Sequence, residues 1–166
     1  PIKEQIDLMA QLVPDVKTVG LIYNSSEDNS ALQASIAKEV IEGLGLEHVE
    51  VTISNSNEVQ QAVQSIVDKC DALYVPTDNT IASAFPAVYS VTVEAKLPTI
   101  CGESNLVENG GLATLGINYY NLGYQTGLMA VDILKNGADP KNMPIQKAES
   151  FDFAINGEVA EEIGLE

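Results

Sequence analysis

Four short clusters carry most of the groups that can bind or react: Asn24 to Ser30 (NSSEDNS), Thr77-Asp78-Asn79, Glu103-Ser104-Asn105 and Asn118-Tyr119. Each follows directly on an apolar run. Hydroxyl and amide donors placed just ahead of a helix, where the first N–H groups lack partners and the dipole is positive, suit an anion such as a carboxylate. The same residue types cap helices, so Asn24, Ser25, Ser26, Asn29 and Ser30 have two readings, capping alone or capping together with ligand contact. Glu27 and Asp28 would oppose an anion if turned inward, and are expected to face solvent. Asp78, flanked by Thr77 and Asn79, can receive an ammonium group or cap the helix that follows, and Glu103 faces the same choice. Tyr119 and Tyr120 can stack on a flat ligand or pack at a helix start.

Catalytic constellations are poor. The single histidine, His48, opens an alternating strand with no partner series and reads as an edge imidazole rather than a general base. The chain contains no G-x-S-x-G, G-x-x-x-x-G-K-[ST] or H-E-x-x-H. Gly43 and Gly45 close a helix, unlike the strand-to-helix glycines of a dinucleotide site. Cys70 precedes one strand and Cys101 ends another; at about 3.3 Å per residue these ends lie about 10 Å or more apart, beyond disulfide reach. Both are expected to be small buried apolar residues, with a reactive Cys101 as the lesser alternative. No residue pattern calls for a metal or a cofactor.

Composition narrows the partners. The chain has 166 residues, with 24 Asp and Glu against 8 Lys and Arg and a formal charge of −16. Affinity for phosphate comes from Lys and Arg displacing counterions, so nucleic acid is excluded. A hydrophobic fraction of 45% is that of a globular chain whose acidity lies on a solvated surface. No uninterrupted apolar stretch approaches the roughly 20 residues of a membrane span. No signal peptide is present, and the start at Pro1 without Met reads as processed or trimmed. This length supports one main domain and at most a second small lobe.

The elements that must position the four clusters follow from periodicity. Residues 16–23 form a β-rich run, and the stretch from Asn29 to Leu44 is a helix with Leu32, Ile36, Val40 and Ile41 on one face. Gly45 serves as its C′ residue, and 48–53 alternates like a strand. A helix from Glu58 to Asp68 is expected to start with a capping box, Asn57 with Gln60. Then come a strand at 72–75, a helix from Thr80 to Ala95, a strand at 98–101 and a polar turn to Gly110-Gly111. Beyond lie 112–117, a long helix from Tyr119 to Lys135, a linker at 136–144, a strand-like 150–155 and a short helix near Val159. Apolar strands alternating with helices specify an α/β fold, a doubly wound, Rossmann-like parallel sheet with helices on both faces. In such sheets ligands sit beyond the carboxyl ends of the strands, where all four clusters fall.

Three blocks, 23–30 (YNSSEDNS), 74–80 (YVPTDNT) and 112–123 (LATLGINYYNLG), resemble in their order the substrate-binding lipoproteins of ABC importers. The resemblance is to the tryptophan/tyrosine-type group with the type I periplasmic-binding-protein fold, and it runs over nearly the whole chain. It implies a non-catalytic, extracytoplasmic, membrane-anchored or periplasmic solute-binding protein. Two lobes would close on a small ligand, an amino acid with aromatic ones favoured, and deliver it to a membrane permease. It further implies that residues 1–110 form the second lobe, that 111–144 pack on a first lobe outside this chain or on a neighbouring chain, and that 145–166 return to complete the lobe. By position, Ser25, Asn29 and Ser30 would lie near the ligand carboxylate and Asp78 or Glu103 near its amine. Asn118 stands where relatives often carry Asp; if the amine contact depends on that position, the case for an α-amino acid ligand is weaker. The apolar load of the long helix, Leu122, Leu128, Met129, Val131, Ile133 and Leu134, implies a homodimer or a segment swap in the chain on its own. The alternatives are the effector-binding domain of a transcriptional regulator, a flavodoxin-like hydrolase using Asp78 or Cys101, and a flavin or nucleotide carrier.

Overall fold

Val19, Leu21, Ile22 and Tyr23 alternate in direction along a strand yet are all buried, which requires a layer of structure on each side of it. The computed structural model describes residues 1 to 165 and supplies both layers. The strands are β1 (Thr18–Asn24), β2 (Glu47–Ile53), β3 (Ala72–Val75), β4 (Thr99–Cys101), β5 (Ala113–Ile117) and β6 (Phe151–Ile155). They form one sheet in the order β2-β1-β3-β4-β5-β6. The first five run parallel, and β6 lies antiparallel to β5, pairing Ala113 with Ile155 and Ile117 with Phe151. The doubly wound reading holds, with this reversed edge strand as its one departure.

The helices are α1 (Ile2–Leu12), α2 (Asp28–Gly43), α3 (Val59–Ile66), α4 (Asn79–Ser83), α5 (Phe85–Glu94), α6 (Ser104–Glu108), α7 (Tyr119–Asn136) and α8 (Gly157–Ile163). On one face Val19, Leu21, Tyr74 and Ile100 meet Ile6 and Met9 of α1, Ala37 and Ile41 of α2 and Val159 of α8. On the other, Ile22, Leu73, Val75 and Cys101 meet α3, α4, α5 and α6.

Several sequence expectations need correction. Helix α1 was not anticipated. The stretch from Thr80 to Ala95 is two helices broken at Ala84, because Pro86 offers no N–H to a preceding carbonyl and its ring crowds that carbonyl. The polar turn after β4 winds into α6. Helix α2 buries Ser30, Ala34, Ala37 and Ile41, while Leu32 is 63% exposed. Small residues let α2 approach the sheet closely, so the buried stripe is not the one the large side chains mark. The cap before α3 is Asn55, which accepts from the Asn57 N–H, with Glu58 holding the Ser54 N–H at 2.7 Å; the box of Asn57 and Gln60 does not form.

Residues 112–117 belong to this sheet as β5, with Leu112 and Ala113 fully buried, and α7 follows at Tyr119. Helix α7 has no buried residue along its 18 positions.

Candidate functional site

The carboxyl ends of β1, β3, β4 and β5 lie side by side on one edge of the sheet, and their loops interlock. Asp78 and Asn24 make the first joint. Asp78, 2% exposed, accepts the Ile81 N–H at 2.9 Å through one carboxylate oxygen and the Asn24 N–H at 2.7 Å through the other. It therefore caps α4 and ties that cap to the end of β1. Asn24, also buried, donates to the Thr80 hydroxyl at 2.9 Å and accepts the Ser26 N–H at 2.8 Å.

Glu27 does not face solvent. Its carboxylate crosses to α4 and accepts the N–H groups of Asn79 and Thr80 at 3.1 and 3.0 Å, the Asn79 amide at 2.8 Å and the Thr80 hydroxyl at 2.7 Å. Partial burial alone would raise its pKa, but these hydrogen bonds win and hold it at about 2. The N-terminus of α4 is thus filled twice, by Asp78 and Glu27, and offers nothing to an anion.

The consequence falls on α2. Glu27 is its N-cap residue, and with the side chain drawn away no side chain caps this helix. Among the described residues the N–H groups of Asp28, Asn29 and Ser30 have no partner. Ser25, Ser26 and Asn29 are exposed beside them, and Ser30 is buried. Helix α2 also grips the end of β3. Asn29 donates to the Thr77 carbonyl at 3.0 Å, and Gln33 both donates to that carbonyl at 3.3 Å and accepts the Thr77 N–H at 3.1 Å. Gln33 was missed in the sequence because an exposed-looking mid-helix Gln carries no cue to a partner 44 residues away.

Next along the edge, Gly102 lies so close to β3 that a Cβ there would sit 2.5 Å from the Thr77 nitrogen. Glu103 follows. It makes no cap bond to α6, and its carboxylate faces the Tyr119 hydroxyl, whose pKa is raised by burial and then by the Glu103 charge. Asn118 is committed elsewhere. Its carbonyl oxygen caps α7 through the Asn121 N–H at 2.8 Å, and its amide donates to Asp152 of β6 at 2.6 Å. Tyr119 is 51% exposed.

The loop residues named from the sequence thus adjoin one another along one ledge, but with unequal roles. Asn24, Asp78, Asn79 and Asn118 are spent on caps and cross-links. The groups left facing outward are Ser25, Ser26, the N–H groups of Asp28 and Asn29, Glu103 and Tyr119, while the exposed Asn29 already donates its amide to the Thr77 carbonyl. The cation-bearing ion pairs Lys3–Asp7 and Lys38–Glu50 lie elsewhere. A ledge of this kind can bind a zwitterion by its two ends.

It does not assemble a nucleophile with a base. Cys101 is fully buried, and burial pushes its thiol pKa up. Cys70, likewise a free thiol, is pushed up to about 11 by burial. His48 pairs with Glu42 at 3.1 Å on the edge strand β2, away from the ledge.

A family model described as ABC transporter substrate binding protein matches residues 1–166. A tyrosine-binding protein of Clostridioides difficile (strain R20291) is 38% identical over 165 residues, 99% of this chain and 48% of that protein. A solved structure from Streptococcus pneumonia, an ABC domain in complex with L-Trp, is 39% identical with a TM-score of 0.91, covering 99% of this chain and 55% of the other. The ligand-free, open structure of a substrate binding protein with adhesive properties from Clostridium difficile is 44% identical with a TM-score of 0.80, over 98% and 55%. The chain therefore spans about half the length of the relatives it matches. LacI family transcriptional regulators, at 12% and 11% identity with TM-scores of 0.65 and 0.70, share the fold alone.

Proposed function

The chain belongs to the ABC transporter substrate-binding protein family, and on that premise we propose that it forms one wall of a cleft that captures an aromatic amino acid for a membrane permease. The observation that carries this reading is the exchange of caps between two helices. Glu27 closes the N-terminus of α4 and leaves that of α2 open, next to Ser25 and Asn29 and on the same ledge as the Glu103 carboxylate. An α-amino acid has the matching ends. Its carboxylate would take the N–H groups of Asp28 and Asn29 with help from the Ser25 hydroxyl, and its ammonium would meet Glu103.

The aromatic preference is drawn from the relatives, one named for tyrosine and one solved with L-Trp. Tyr119 gives the ligand ring a stacking partner at the end of the ledge. In this reading Asp78 holds the loops in place and makes no direct amine contact.

The opposing wall would come from the remaining length that the relatives have. Helix α7, with no buried residue, would be covered by that first lobe, while 145–166 complete the lobe seen here. Closure of two lobes would exclude water and present the loaded protein to the permease. We place the protein outside the cytoplasm, anchored by lipid or free in the periplasm, and without catalytic activity.

Calorimetric titration of the full-length protein with L-tryptophan and L-tyrosine tests the reading. Saturable binding that Glu103→Gln weakens at least tenfold supports it. Silence with both ligands, or binding indifferent to Glu103, removes it.

A further inference from the structure

Gln5 is 1% exposed on α1, beneath the ledge and outside every cluster that the sequence singles out. A buried amide is costly unless its polar atoms are paired, and here they reach three neighbouring strands or their ends. The Gln5 oxygen accepts the Tyr74 hydroxyl of β3 at 2.7 Å. Its nitrogen donates to the Gly102 carbonyl, just past β4, at 3.2 Å and to the Leu115 carbonyl of β5 at 2.8 Å. Tyr74 is fully buried, and burial keeps its hydroxyl protonated as the donor to Gln5. Gly102 in turn donates to the Val75 carbonyl at 2.8 Å, packs against Thr77 and leads into Glu103.

We infer that Gln5 is a positioning residue for the cleft: it fixes the Gly102–Glu103 turn from behind and so sets where the Glu103 carboxylate meets the ligand. The three contacts have different geometric jobs. The bonds to Tyr74 and Leu115 fix the amide plane against two rigid strands, and the bond to Gly102 transfers that fixed position to the turn. Without it the turn keeps its strand bond to Val75 but loses the side-chain bond that holds the Gly102 carbonyl. The binding consequence rests on the amino-acid reading above; the ordering of the turn does not.

Two variants in the full-length protein test this. Gln5→Met fills the space without polar groups. Gln5→Glu keeps the acceptor for Tyr74 and donates to Gly102 or Leu115 only when protonated, a form that burial favours. The titratable group facing position 5 is the Tyr74 hydroxyl, with the buried Cys101 thiol beside it; Lys3, Glu4 and Asp7 share the helix. Affinity for L-tryptophan is therefore read against wild type at each pH.

Gln5→Met should weaken binding about tenfold, the loss of one net hydrogen bond, and should speed hydrogen exchange at the Gly102 amide more than at amides of β1. Gln5→Glu should match wild type within threefold at about pH 5.5 and resemble Gln5→Met at about pH 8.5. Affinity within twofold of wild type in a folded Gln5→Met protein, exchange rising uniformly over the sheet, or equal loss in both variants at every pH would overturn the inference. If Gln5→Met does not fold, the pH series of Gln5→Glu decides alone. If wild type binds neither L-tryptophan nor L-tyrosine, selective exchange at Gly102 upholds the positioning of the turn while the amino-acid reading fails, and uniform exchange defeats both.

Discussion

The Glu27 carboxylate and Thr80 are joined twice, through the Thr80 N–H at 3.0 Å and its hydroxyl at 2.7 Å. This contact fastens the joint after β1 to the first turn of α4, closing that N-terminus while α2 is left without a side-chain cap.

Replacing Glu27 by Ala should cost about 2 kcal/mol of stability, because the hydrogen bonds lost are to a charged acceptor. The pH dependence has a fixed sign. A carboxyl held at about 2 in the folded state, against 4.5 unperturbed, contributes its full stability above the unfolded value and loses it as pH falls through the folded one. The gap in denaturant midpoint between wild type and Glu27→Gln should therefore be widest above about pH 5 and close toward about pH 2. A gap independent of pH would contradict the contact.

Gly102→Ala should damage both stability and binding. A Cβ would lie 2.5 Å from the Thr77 nitrogen and 2.8 Å from the Pro76 carbonyl carbon, both backbone atoms that cannot swing aside. We expect a loss of about 2 kcal/mol or more, with weaker ligand binding as the two loops are pushed apart. Thermal unfolding with a parallel titration checks it.

Asn118→Asp would set a second carboxylate against Asp152, whose oxygen the Asn118 amide now meets at 2.6 Å. Repulsion should lower the melting temperature at neutral pH and ease as the solution is acidified enough for one of the pair to hold a proton. Adding Asp152→Asn should restore stability at neutral pH. A double variant no more stable than Asn118→Asp would show that the pair does not govern this corner.

The face of α7 should make the chain by itself self-associate. Leu128 is 52% exposed and Leu134 is 83% exposed, on a helix with nothing buried. Sedimentation at high micromolar concentration should show a dimer or a swapped pair, and Leu128→Glu with Leu134→Glu should return it to a monomer. A wild-type monomer at that concentration would contradict this.

What the sequence made legible was set by local chemistry. Apolar runs such as 72–75 can only be strands between two layers, and polar clusters at their ends place the ledge. What it hid depended on long-range partners. Glu27 looks like a solvent-facing acid until Asn79 and Thr80 arrive from 52 and 53 positions away. Asp78 has two uses by type, and the N–H groups of Asn24 on the neighbouring strand and of Ile81 take one oxygen each. Helix α1 went unread although its Ile6 and Met9 are fully buried, and with it the buried Gln5. On α2 the large residues Leu32 and Ile36 stay exposed, and the stripe that packs is built largely from small residues. The end of the sheet could be read; the division of labour among its residues required the fold.

The most direct test is calorimetric titration of the full-length protein, wild type and Glu103→Gln, with L-tryptophan and L-tyrosine. The account predicts saturable binding of at least one of them to wild type and a loss of about tenfold or more on removing the Glu103 charge. No heat with either amino acid, or equal affinity in both proteins, would contradict it.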